Sequence, residues 1–276
     1  LVLLATLLIA STTHAGEPIE IGSRREVFVD GFLVDRLDGV RHRLHHPRPV
    51  ELAVTLDQPW EKRFHNGVSV IHDTHPLNDK PRFLLYYSAA NRLAVAVSHD
   101  GIHWTKPLLG IVEIDGNRKN NLIGSVDRRL MVSDKGPMPE IFLDRRPEVK
   151  ASERFKAFTL IEGRGGTRVI CWLSGDGFRF RKLRDEPIIH TRLFGAFDGF
   201  ESMFWSEVEQ QYVCYFRYMD DYRTMGRITS PDLRIWADPE PMTYGDTPRE
   251  ELYTNSTMPY PRAPHIYLAL PARFMP

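Results

Sequence analysis

Three aspartates stand in the same setting along the chain. Ser98-His99-Asp100-Gly101-Ile102-His103-Trp104, Ser174-Gly175-Asp176-Gly177-Phe178-Arg179-Phe180 and Ser230-Pro231-Asp232-Leu233-Arg234-Ile235-Trp236 each place Asp two residues after Ser and an aromatic six after it. Carboxylates serve general acid–base and nucleophilic chemistry, so a recurring Asp invites a catalytic reading. The recurrence itself argues for architecture instead. A short carboxylate can bond backbone N–H groups two residues on and hold a tight turn. Gly101 and Gly177 can take the positive φ such a turn needs, and the aromatic can pack between neighbouring sheets. Asp100, Asp176 and Asp232 are therefore read as turn-makers, with Leu233 marking a repeat that has lost its glycine.

Other reactive residue types give weaker patterns. The eleven histidines, among them His45-His46, His65, His72, His75, His190 and His265, form no helical His-x-x-x-His pair. They read as solvated or structurally bonded. Two cysteines exclude a disulfide scaffold and a four-thiolate zinc site. Cys171 and Cys214 lie in apolar segments and read as buried thiols, pairing in an oxidising compartment being the alternative. No Gly-x-Gly-x-x-Gly, Walker-type or Gly-x-Ser-x-Gly segment occurs, so nucleotide binding and esterase chemistry lack sequence support. Gly163 to Thr167 reads as a hairpin turn. The basic run from Arg41 to Arg48 reads as a solvated loop.

The elements that must position these side chains are short. After residue 16 no window of a dozen residues carries a helical stripe. Apolar runs such as 27–29, 67–71, 82–87, 93–97, 141–143, 155–160, 203–205, 212–216 and 265–270 are broken by Gly, Pro, Asp or Asn. Several are apolar on both alternating faces, as in strands covered on both sides. The class is all-β. Lysine plus arginine and aspartate plus glutamate are 36 each, a balance that argues against a nucleic-acid partner. The opening run Leu1 to Ala10 is too short to span a membrane. With Thr13-His14-Ala15 before Gly16 it reads as a secretory signal over 1–15, incomplete at its start. The expected location is secreted or periplasmic, with no membrane span in the mature chain. The segment around 269–276 ends in strand-like sequence, and a continuation is expected.

The Ser-x-Asp-x-x-x-Trp turns, Phe142-Leu143-Asp144-Arg145-Arg146-Pro147, Arg154-Phe155-Lys156-Ala157, and Val27-Phe28-Val29-Asp30 with Pro59-Trp60-Glu61 resemble the five-bladed β-propellers of glycoside hydrolase families 32 and 43 and their secreted relatives. The resemblance covers most of residues 24–276. It implies a propeller domain over 16–276 that is truncated to about four blades, near 60–110, 120–187, 195–242 and 250–276. It also implies an oligosaccharide or polysaccharide substrate in a central pocket, lined by residues that open the inner strand of each blade.

Glycoside hydrolysis usually needs two carboxyl groups, one protonated and one ionised. The resemblance puts the general acid at Glu201, where Phe200, Phe204 and Trp205 could desolvate it. Asp134 and Glu140 are the candidates for its partner. The families carry an aspartate at the opening of the first blade, and this sequence has His65 and Asn66 there instead. Asp144 resembles their substrate-orienting aspartate, although it also suits a turn. Asp198, Asn255 and the aromatic or planar side chains of Trp205, Tyr253, Tyr260, Arg217 and Arg262 complete the sugar-binding candidates, Arg262 being suited to a carboxylate. No cofactor is expected beyond the axial calcium some such propellers hold, with His65 or His265 near it. The unlike strand openings favour an enzyme over a lectin with equivalent sites. A non-catalytic carbohydrate-binding propeller is the alternative, and a protein-interaction scaffold is the third reading.

Overall fold

The computed structural model describes residues 18–61, 67–76, 80–89, 92–125, 140–163, 165–193, 196–197, 201–219 and 221–275. The chain divides into two compact units at Val50. Within the first, the described residues form turns and no strand. The run Val27-Phe28-Val29, expected to be extended in a sheet, leaves Phe28 and Val29 61% and 65% exposed. Asp30 accepts a hydrogen bond from the Phe32 amide (2.9 Å), and the turn it makes stops the run after three residues.

The second unit is all-β, as the sequence leads one to expect. Its strands in chain order are β1 (Val68–Asp73), β2 (Arg82–Ala89), β3 (Arg92–Ser98), β4 (Leu122–Ser125), β5 (Ile141–Leu143), β6 (Phe155–Gly163), β7 (Gly166–Ser174), β8 (Arg179–Lys182), β9 (Ile189–Thr191), β10 (Ser202–Ser206), β11 (Gln211–Met219), β12 (Arg223–Ser230), β13 (Glu240–Pro241), β14 (Leu252–Thr254), β15 (Met258–Tyr260), β16 (Ala263–Leu268) and β17 (Ala272–Arg273). Antiparallel meanders β1-β2-β3 and β5-β6-β7-β8 are linked through β4, antiparallel to β3 and parallel to β8, into one nine-stranded sheet with β9 on β7, and β10-β11-β12-β13 form a separate four-stranded sheet. A fourth group holds the pairs β15-β16 and β14-β17. The hairpin expected near Gly163 is β6–β7, paired to its tip at Gly163 and Gly166.

Each repeat turn begins on the last residue of its meander's third strand, Ser98, Ser174 or Ser230. The three turns have the same hydrogen bonds. The serine hydroxyl accepts the amide three residues on (2.9 Å in each). The aspartate Oδ1 then accepts the amides of the second and third residues after it, at 2.8 to 3.0 Å. The residue after each aspartate has positive φ, +77° at Gly101, +80° at Gly177 and +64° at Leu233.

Burial follows the meanders. One core joins Leu84, Tyr86 and Val95 of the first to Phe155, Trp172 and Phe180 of the second. Another joins Phe158, Val169 and Cys171 of the second to Tyr212, Cys214 and Phe216 of the third. A smaller one packs Phe204, Val213 and Tyr215 with Tyr267 of the fourth group. Successive sheets therefore bury their faces against each other, which is why the strands carry apolar residues on both alternations. The first strands are neighbours in series, β1 beside β5, β5 beside β10, β10 beside β15. Face-packed meanders with adjacent first strands are consistent with a β-propeller-like fold.

Candidate active site

The first strands meet around a pocket of about 560 Å³. β1 offers Val68, Val70 and His72 on alternating, exposed positions. Two strand openings bring acid to this pocket. Glu140 immediately precedes β5, and Glu201 immediately precedes β10. The same position thus carries glutamate in two consecutive meanders, so the two side chains converge from different sheets.

The Glu201 amide donates to Glu140 Oε1 at 3.3 Å. Burial drives the Glu140 carboxyl well above the ordinary glutamate range, and the charge of the neighbouring Glu201 adds to the rise. The amide bond only partly offsets this. Both carboxylate oxygens of Glu201 are buried and have no donor among the described residues. A carboxylate so close by disfavours ionisation of Glu140 further.

The aromatic wall is held from behind. Trp205 of β10 lines the pocket and meets Tyr212 edge-on at 5.0 Å. The Arg146 guanidinium lies 6.0 Å from the Trp205 ring and 5.5 Å from that of Tyr212. The Tyr212 hydroxyl donates to Asp144 Oδ2 (2.7 Å), which also pairs with Lys156 Nζ (2.9 Å). Asp144 Oδ1 accepts the Arg146 amide (3.0 Å). Asp144 is buried and does not reach the pocket. It makes a turn and orders the residues behind Trp205.

Of the other residues singled out in the sequence, Tyr260 lines the pocket. Asn255 is buried beside it, its Oδ1 accepting the Thr257 amide at 2.7 Å. Tyr253 and Arg262 are exposed and lie outside the lining, and buried Arg217 also lies outside it. His65, Asn66, Asp134, Asp198 and the 1–15 signal lie outside the described residues. The pocket adds residues that the sequence did not mark, chiefly Arg145 and Cys214. Cys214 is free, as is Cys171. Burial, followed by the Glu201 and Glu140 charges, pushes its thiol well up. Apolar residues on the outward alternation of β1 are the one sequence signal that could have flagged this wall. Among the described residues no three His, Cys, Asp or Glu side chains converge as metal ligands.

No family model matches the chain, and no curated protein does. Solved structures similar to it include an N-acetylgalactosamine deacetylase from F. plautii in complex with blood group B trisaccharide (16% identity, TM-score 0.45, 75% of this chain and 62% of that one). A glycoside hydrolase is similar at 15% identity and TM-score 0.47, over 73% of this chain and 64% of that one. A thermostable family-43 glycoside hydrolase is similar at 15% identity and TM-score 0.38, over 67% and 57%. The chain spans less than two thirds of each of these.

Proposed function

We propose that the chain carries the catalytic pocket of an exported, propeller-type glycoside hydrolase, its substrate an oligosaccharide or polysaccharide. The observation that carries this reading is the meeting of Glu140 and Glu201, one driven toward its neutral form and the other buried without a donor, in a pocket walled by Trp205 and Tyr260. Glycosidic cleavage requires one protonated carboxyl beside an ionised one, and Glu140 is the one driven toward the protonated form. The environment gives the roles as Glu140 the acid and Glu201 the carboxylate, the reverse of the order the resemblance implies. The two glutamates open neighbouring strands and touch through the Glu201 amide, which favours a route through a covalent intermediate over one that needs room for a water between the carboxyls. Glu201 then attacks the anomeric carbon while the glycosidic C–O bond breaks and Glu140 gives its proton to the leaving oxygen. Water next attacks the same carbon, Glu140 takes its proton, and the ester to Glu201 breaks.

Activity on a panel of glycosides, with wild type, Glu140→Gln and Glu201→Gln side by side, tests this. Each substitution is expected to lower kcat by about 10²–10⁴-fold. The anomeric product, read by NMR, is expected to retain its configuration. Full rate in either variant contradicts the assignment. Oligosaccharide binding without cleavage by wild type supports the non-catalytic alternative.

A further inference from the structure

We infer that the pocket selects a saccharide bearing an anionic group, a carboxylate or a sulfate ester, and that Arg145 receives that group. The inference rests on the proposed pocket. Arg145 follows the buried Asp144 in a turn whose backbone is pinned on both sides. Asp144 N donates to Arg154 O (2.7 Å), the Arg146 amide donates to Asp144 Oδ1 (3.0 Å), and Val149 N donates to Arg146 O (3.3 Å). The three other arginines packed near this turn are engaged. Arg154 and Arg82 both pair with buried Asp73, and Arg146 lies over Trp205 and Tyr212. Arg145 lines the pocket, is exposed, and meets no carboxylate or ring among the described residues.

Were Arg145 the counter-ion of the glutamate pair, it would touch Glu201, whose oxygens instead have no donor. The pocket thus holds a guanidinium without a protein partner, set apart from the glutamate pair. A neutral sugar would leave the guanidinium unanswered. A sugar with an acidic substituent pairs with it bidentately, while its glycosidic bond lies at the glutamates and its apolar face on Trp205. Glu207, also on the lining, repels an anion placed elsewhere on the rim and so restricts the orientation.

The experiment is calorimetric binding of matched oligosaccharides to the full chain carrying Glu201→Gln, so that binding is read whether or not wild type hydrolyses anything. The probes are a neutral hexoside, the corresponding uronate and the 6-sulfated form. The expected result is tighter binding of at least one anionic probe than of the neutral one, weakened by salt. Arg145→Gln is expected to reduce that preference about tenfold or more, and Arg145→Lys to restore part of it. The exposed, unpartnered Arg145 can be replaced without disturbing the fold, and an unchanged thermal unfolding curve checks this. Neutral binding as tight as either anionic probe overturns the inference. So does a preference that survives Arg145→Gln or is lost only in Arg262→Gln. The uronate and sulfate arms identify the group. Anionic binding without hydrolysis would leave this inference standing and remove the catalytic reading, whereas cleavage of neutral glycosides alone would do the reverse.

Discussion

Glu140 carries a signature that solution measurements can read. Its folded-state value lies above the ordinary 4.5 because of burial first and the Glu201 charge second. The folded chain therefore holds a proton that the unfolded chain has already released. That contribution to stability is complete below pH 4.5 and is lost as pH rises through the raised value. Glu140→Gln keeps a neutral side chain at every pH. It is expected to unfold at a higher temperature than wild type at neutral pH, with the difference vanishing near pH 4, while activity is lost. Equal melting curves at pH 4 and pH 7 would remove the raised value. Glu140 and Glu201 were legible as residues that open strands. The raised carboxyl of Glu140 was not, because desolvation depends on which sheets close over it. Arg145 was hidden for a related reason: in sequence it is one of two adjacent arginines, and only the fold sends one to the pocket and the other to the ring of Trp205.

The repeat turns are where sequence spoke most plainly about elements. Ser, Asp and a positive-φ residue encode a local hydrogen-bond pattern, and local patterns survive without knowledge of the rest of the chain. Asp176 shows the physics. Burial raises its carboxyl, yet the Arg179 and Phe178 amides and the Ser174 hydroxyl outweigh burial and hold it below 3.8. A depressed carboxyl stabilises the fold above its ordinary value, and that stability is lost as pH falls through the folded value. Asp176→Asn is thus expected to flatten the acid limb of a stability–pH curve as pH falls below 3.8. The turns also separate two costs of a side chain. At Gly101 a Cβ would meet only Phe83, at 3.5 Å, so Gly101→Ala should cost about 1 kcal/mol of backbone strain. At Gly177 a Cβ would lie 2.6 Å from the Tyr86 hydroxyl, which donates to Gly177 O. Gly177→Ala should therefore cost about 2–3 kcal/mol, measured by denaturant unfolding. Equal costs at the two sites would contradict the packing described. β12 was missed because it contains no apolar run. It pairs along its length with β11, and a Cβ on its Gly226 would lie 2.8 Å from Phe216. The ladder with β11, a close backbone approach at Gly226 and the buried Met225 and Ile228, too scattered to form a run, keep that strand in the sheet.

At the scale of the whole second unit, buried ions tie one meander to the next. Asp73 at the end of β1 pairs with Arg154 beside β6 and with Arg82. Asp144 and Lys156 of the second meander join Tyr212 of the third. Lys156 is 2% exposed, so removing its charge leaves Asp144 buried without a cation. Lys156→Met is expected to cost about 3–5 kcal/mol, and Lys156→Met with Asp144→Asn less than Lys156→Met alone. Chemical denaturation of the three chains checks the order, and a double variant weaker than Lys156→Met would refute it. The all-β class and the meander succession were readable because each meander closes on its own repeat turn. The ion pairs were not, since Asp73 and Arg154 lie far apart in sequence and nothing local joins them.

The central claim is that Glu140 keeps its proton beside Glu201 in the folded chain. Carbon-detected NMR titration of the glutamate carboxyls in wild type and in Glu201→Gln tests it without any substrate. The account predicts that the Glu140 resonance titrates well above 4.5 in wild type and moves down when residue 201 loses its charge. A Glu140 midpoint near 4.5 that does not respond to the substitution would contradict it.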